Sequence, residues 1–191
     1  DDDMMSKRYS GALGNRYLAD GDWRNGYLQY LGEAPTSYTN KYYIDINNPY
    51  TAWNEMRDLC RTLNQPVSSY PTVLTNRVNV REWARHFATQ TCLDNQEAGF
   101  GSTTSVSGDE MRLYADQNTG QFDFYPWDFD TIISSGARLW TRGGNTSAVA
   151  IVSNFLFNPP MSPYYCGDVY NIMTGALSAQ SVSNLFTSMG S

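Results

Sequence analysis

Apolar residues recur along this chain at two periods, and the changes between them divide it into elements. Trp53, Met56, Leu59, Cys60 and Leu63 follow one another at three- and four-residue steps, which predicts an amphipathic helix over 51–64. Pro66 and Pro71 then mark a loop. A second helix is expected from Asn79 to about Asp94, with Val80, Trp83, Phe87 and Thr91 as its buried stripe. Asn79 followed three residues later by Glu82 has the form of a capping box. Shorter alternating stretches, Gly26–Leu31 and Lys41–Ile46, read as strands bounded by turn formers. Glu110–Tyr114 and Gln121–Tyr125 alternate in the same way around Asp116-Gln117-Asn118-Thr119-Gly120, so a β-hairpin is expected there. Helical character dominates the remainder: Val149–Phe157 up to Asn158-Pro159-Pro160, then Tyr165–Leu177, then a last segment capped near Ser178 or Ser181.

Few strands followed by mostly helices make an α+β domain. At 191 residues the chain fits one such domain: a strand-rich entry (1–50), a middle of helices, loop and hairpin (51–145), and C-terminal helices (146–191). Between the second helix and the hairpin, Ala98 to Gly108 is rich in Gly, Ser and Thr; such residues build no core, and loops of this kind often carry function.

Composition narrows the function classes. Lys and Arg number 13 against 19 Asp and Glu, a net charge of −6, and no basic cluster appears of the kind that neutralises phosphates in nucleic-acid binders. Nucleic acid is therefore not an expected partner, whereas a basic protein or peptide is compatible with the acidic surface. No run of 18 apolar residues exists to cross a membrane. The 14 Tyr, 8 Phe and 5 Trp suit a core opening onto a wet cleft. Cys60 and Cys92 are expected as buried free thiols on helix faces; one disulfide plus a free cysteine, with Cys166 as the third, remains open. The single histidine, His86, lies within the second helix and reads as a packed or surface residue rather than a base.

The candidate chemistry gathers around the hairpin. Asp109 stands at the entrance of its first strand, Asp128 and Asp130 beyond the exit of its second, and antiparallel pairing makes entrance and exit neighbours. Asn95 and Glu97 open the loop that leads to the same end. Crowded carboxylates repel, and a hard cation such as Mg²⁺, holding one or two of them with water and phosphate, relieves that repulsion. Asp is equally common in turns and on solvent faces, so spacing alone leaves both readings open.

The residues around the cluster carry a resemblance. Pro126-Trp127-Asp128-Phe129-Asp130 is similar to the signature "PWD", aromatic or aliphatic, "D" of the CotH family, which is named for a bacterial spore-coat kinase. Leu93-Asp94-Asn95-Gln96-Glu97 and Gly108-Asp109-Glu110-Met111-Arg112-Leu113-Tyr114 resemble the family blocks that precede it. Tyr27–Gly32, Ser37–Tyr43, Trp53, Leu63-Asn64, Phe155–Pro159 and Tyr164-Tyr165 follow its pattern in order over nearly the whole chain.

That resemblance implies a kinase-like, CotH-type domain that binds ATP with Mg²⁺ and transfers phosphate to Ser/Thr of a protein partner. Asp128, Asp130 and Asp109 take the positions of metal ligands, with Asp128 and Asp109 also serving the nucleotide phosphates. Glu97 takes that of the catalytic-loop carboxylate, one methylene longer than the family's Asp. It further implies that the N-terminal nucleotide lobe is largely missing from this chain and lies in an upstream part of the same polypeptide. An extracellular or cell-surface protein of bacterial origin is the expected setting. Two other readings stand beside it: a non-catalytic surface or extracellular structural protein that keeps the CotH fold to bind a surface-layer partner, and a Ca²⁺ site that serves stability alone.

Overall fold

The computed structural model describes residues 7–9, 14–19, 26, 28–45, 51–95, 111–125, 132, 154–156 and 158–189. Helices and a small antiparallel sheet share one chain in it, as expected for α+β.

Four strands form the sheet: β1 (Asn15–Ala19), β2 (Tyr43–Asp45), β3 (Met111–Ala115) and β4 (Phe122–Phe124), in the order β2-β1-β3-β4. The hairpin β3–β4 forms in the expected place, with Leu113 opposite Phe124 and Ala115 opposite Phe122. Its turn closes as the residue types dictate. Asp116 accepts from the backbone of Asn118 and the hydroxyl of Thr119, and Gly120 takes φ +68°, which costs glycine little.

The central strand β1 was not marked by the hydrophobic pattern. Its inward residues are Asn15, Tyr17 and Ala19, and only Tyr17 is large and apolar. Asn15 is tolerated in the core because its amide donates to Glu55 at 2.8 Å, and such pairing is what a buried polar group requires. Expected strand 41–46 appears as β2. Among the described residues of 26–31, by contrast, there is no strand, which corrects the expectation. The Leu28 N–H donates to the Tyr42 hydroxyl and the Leu28 carbonyl accepts from Asn64, so neither is left for a ladder. Leu28 sits at φ +53°, an uncommon conformation for a bulky residue, held there by those bonds and by complete burial of its side chain.

Helix α1 (Ala52–Leu63) buries Met56, Leu59, Cys60 and Leu63, the predicted stripe. Helix α2 (Val80–Leu93) starts where the capping box places it, with the Asn79 side chain accepting from the Glu82 amide at 3.4 Å. Its buried face is Trp83, Ala84, Phe87, Ala88 and Gln90; Val80 and Thr91 are only half-buried. The stripe is thus rotated slightly from the predicted one, toward small residues that let the neighbouring elements approach. Trp83 is the hub of the core. Its ring lies 4.4 Å from Phe124, 5.9 Å from Phe155 and 6.1 Å from Phe87 between centroids, and its indole N–H donates to the Phe122 carbonyl at 2.8 Å.

Residues 154–156 are helical, and two helices follow: α3 (Ser162–Thr174) and α4 (Ala179–Met189). Helix α3 packs on α2 through Tyr165, whose hydroxyl meets Thr91 at 3.1 Å, and through an Arg81–Asp168 ion pair at 3.0 Å. Ser178 caps α4 by accepting from the Ser181 amide. All three cysteines are free: Cys60 is buried as expected, Cys92 is only half-buried and Cys166 is exposed. Cys92 departs from the expectation because it falls beside the buried face of α2. No described helix is long and apolar enough to cross a membrane.

Candidate functional site

Helix α2 ends in a Schellman turn at Asp94-Asn95, the residues that precede the candidate loop in sequence. Asp94 adopts φ +48°, its N–H reaches the Thr91 carbonyl at 3.2 Å, and the Asn95 N–H reaches back to Gln90 at 3.2 Å. Asn95 is 4% exposed, so this end of the helix is fixed by a buried residue and not by a solvated one.

The direction of α2 relative to the hairpin follows from its contacts. The Asn79 N–H donates to Phe122 at the start of β4, whereas His86 and Phe87 touch Phe124 at its end. Helix and strand therefore advance the same way, and Asn95 lies toward the end at which β4 leaves the sheet. At that end β3 enters, and the Tyr125 N–H donates to the Arg112 carbonyl at 3.2 Å. Three described residues, Asn95, Met111 and Tyr125, thus lie toward one end of the sheet.

The acidic residues themselves, Glu97, Asp109, Asp128 and Asp130, lie outside the described residues, as does Trp127. Among the described residues, no three His, Cys, Asp or Glu side chains gather in a way that would hold a metal ion.

The outer face of the sheet holds something the hydrophobic pattern did not single out. Pairing sets Arg16 opposite Asp45 and Tyr114, and Leu18 opposite Tyr43 and Arg112, all on the face turned away from α2. A pocket of about 190 Å³ opens there, with Arg16, Arg112, Asp45, Tyr43 and Tyr125 around it. Arg16 forms an ion pair with Asp45. Burial raises the Tyr125 phenol above its ordinary value, and the Arg112 guanidinium beside it opposes that rise. Two guanidiniums lining one pocket, with Arg112 next to the end where β3 enters, can meet an anion such as a phosphate. The signal was in the sequence, since Met111 and Leu113 alternate with Arg112 and so turn it outward.

Beside this pocket the same face is strapped. The Tyr9 ring stacks on Tyr114 at 4.1 Å, and its hydroxyl donates to Asp123 at 2.6 Å. Burial raises the Asp123 carboxyl above the usual carboxylate range, with the Tyr9 hydroxyl and Arg8 acting against it.

On the other side of the sheet, His86 lies nearly parallel to Phe124 at 4.5 Å, which agrees with its reading as a packed residue. Although the ring keeps some solvent access, burial pushes its pKa down to about 3, so it is neutral at physiological pH.

No curated protein matches this sequence. A family model described as CotH kinase protein matches residues 1–188, nearly the whole chain, and the protein therefore belongs to the CotH family, with the kinase-related function and the general use of nucleotide and metal that this membership suggests.

Proposed function

We propose that this protein is a Mg²⁺–ATP-dependent protein kinase domain with a kinase-like fold, acting on Ser/Thr of a protein partner. In this reading Asp128, Asp130 and Asp109 would hold Mg²⁺, which would neutralise charge on the nucleotide phosphates that Asp128 and Asp109 serve. Glu97 orients the acceptor hydroxyl and takes its proton as the oxygen–phosphorus bond forms and ADP leaves. Phosphoryl transfer depends mostly on positioning and charge neutralisation, for which such a set suffices. A secreted or cell-surface setting belongs to the same reading.

One observation supports it above the others. The strand ends to which Asp109 and Asp128 are joined in sequence, Met111-Arg112 and Tyr125, are neighbours in the ladder, and the Arg16–Arg112 pocket opens beside them. Arg112 then meets a nucleotide phosphate or the transferred group. The test is calorimetry of Mg²⁺–ATP on the natural full-length polypeptide, with Asp128→Asn and Arg112→Gln beside the wild type. Saturable, Mg²⁺-dependent binding that Asp128→Asn abolishes and Arg112→Gln weakens is the expected result. Wild type and Asp128→Asn that bind ATP alike, or not at all, would overturn it.

A second reading, a non-catalytic binding protein that retains the fold, is favoured by a different observation. Tyr170, Met173, Leu185, Phe186 and Met189 expose large apolar side chains on α3 and α4, as partner-binding surfaces do. Absence of phosphotransfer together with capture of a surface-layer protein through these residues would favour it.

A further inference from the structure

A second pocket, of about 170 Å³, lies across the sheet from the arginine-lined one, between α2, the end of β4 and residue 8. Its floor is apolar and flat, formed by the His86 ring stacked on Phe124. Its rim is charged. Glu82, Arg85, His86, Thr89 and Gln90 recur at helical spacing on one face of α2, and Arg8 closes over them.

Among the described residues, the charges on that rim do not cancel: Arg8 and Arg85 face the single carboxylate of Glu82. The Glu82 carboxylate accepts from Arg85 at 2.7 Å through one oxygen and from Arg8 at 2.9 Å through the other. Two guanidiniums thus share one carboxylate, and each gives it a single N–H out of five donors. Asp123, which also lies near Arg8, bonds to Tyr9 on the outer face and does not line this pocket. A local excess of positive charge on a protein of net charge −6 needs a reason beyond general surface composition.

Gln90 supplies an independent observation. It is 4% exposed, and its Oε1 is buried with no hydrogen-bond partner. An orphaned buried carbonyl costs about 1–3 kcal/mol unless a donor or an ordered water meets it. Because amide oxygen and nitrogen exchange places by a simple flip, Gln90 can equally donate to an acceptor in the pocket.

We propose that this pocket binds a small anionic ligand: a flat apolar body about the size of one amino-acid side chain, carrying a carboxylate or a phosphate. The apolar body rests on the His86 ring, which Phe124 backs from beneath, the anion lies between Arg8 and Arg85, and Gln90 meets the ligand's polar edge. Such a group comes either from a free small molecule or from an aromatic–acidic pair in a partner peptide. The proposal goes beyond the kinase reading and uses none of Glu97, Asp109, Asp128 or Asp130.

The test is an NMR titration of the protein with phenyl phosphate, with benzyl alcohol as the uncharged control and N-acetyl-Phe-Asp-amide as the peptide arm. Saturable shifts centred on Arg85, Thr89, Gln90 and Phe124 are expected for phenyl phosphate and not for benzyl alcohol. Arg85→Gln should weaken binding by about tenfold, the scale of one charged hydrogen bond. Arg8→Gln, which leaves the α2 packing untouched, provides the second variant and should act in the same direction. Tighter binding of the dipeptide assigns the site to a partner peptide, and tighter binding of phenyl phosphate to a free ligand. Absence of saturable shifts into the millimolar range, or equal affinity in wild type and both variants, would overturn the proposal.

Discussion

Helices α2 and α4 are both amphipathic, yet they meet opposite fates. Helix α2 buries Trp83, Ala84, Phe87, Ala88 and Gln90 against the sheet and α3. Helix α4 buries nothing, and its apolar residues Leu185, Phe186 and Met189 are 58%, 70% and 74% exposed. The difference lies in what surrounds each helix and not in periodicity. Trp83 finds Phe124, Phe155 and Phe87 within 6.1 Å, and a carbonyl for its indole N–H. An apolar stripe states that a helix has a face to bury; whether a partner exists for it is a property of the rest of the fold.

The comparison breaks most directly at Trp83. Trp83→Ala should cost about 3–5 kcal/mol, because it leaves a cavity among three aromatic rings and removes one of the two donors to the Phe122 carbonyl, which keeps the Asn79 N–H. Denaturant unfolding measures this, and a loss near that of a surface substitution would mean that the hub is misplaced.

A smaller effect follows from His86, since its half-buried ring keeps some solvent access that moderates it. Its folded pKa is about 3, against an ordinary 6.5, so below pH 6.5 the unfolded chain binds more protons than the folded one. The stability this ring contributes is complete above pH 6.5 and is lost as pH falls toward 3. His86→Phe keeps the stack on Phe124 and removes the titration, so its stability should fall less steeply than that of the wild type over that window. The raised Asp123 carboxyl acts in the opposite direction, contributing stability that is lost as pH rises, but it is common to both proteins and cancels in the comparison. Parallel pH profiles would count against a desolvated His86.

Removing the start signal of α2 should cost less again. Asn79→Ala deletes the acceptor for the Glu82 amide, and caps of this kind contribute about 1 kcal/mol. Substitution by Ser should restore most of that loss, and failure of Ser to do so would show that Asn79 acts through something other than the cap.

At the far end of the scale stands α4. Phe186→Ser should change stability by no more than about 0.5 kcal/mol, as befits an exposed position. It should nonetheless reduce any concentration-dependent association, which analytical ultracentrifugation reads. A large loss of stability would show that this face is covered in the folded protein and would erase the contrast with α2.

The family resemblance was legible because Pro126-Trp127-Asp128-Phe129-Asp130 and the blocks before it preserve order over the chain, and the match to the CotH family across 1–188 agrees. Arg112 was visible as an outward position in a predicted strand. Arg16, two positions away on the neighbouring strand and on the same pocket, was not, because β1 carries no alternating apolar pattern.

What the sequence determined by itself is local. Helices α1 and α2 with their boundaries, the Asn79 cap, the Asp116–Gly120 turn and the hairpin follow from contacts and dihedral preferences within a few residues, and these are written in residue type. Tertiary structure decided the rest. Asn15-Arg16-Tyr17-Leu18-Ala19 becomes the central strand because β2 and β3 hydrogen-bond to both of its edges and Glu55 of α1 satisfies Asn15. Leu28 leaves the β region because Tyr42 and Asn64, fourteen and thirty-six residues away, capture its backbone. Such choices depend on partners distant in the chain, and no local period records where those partners will be.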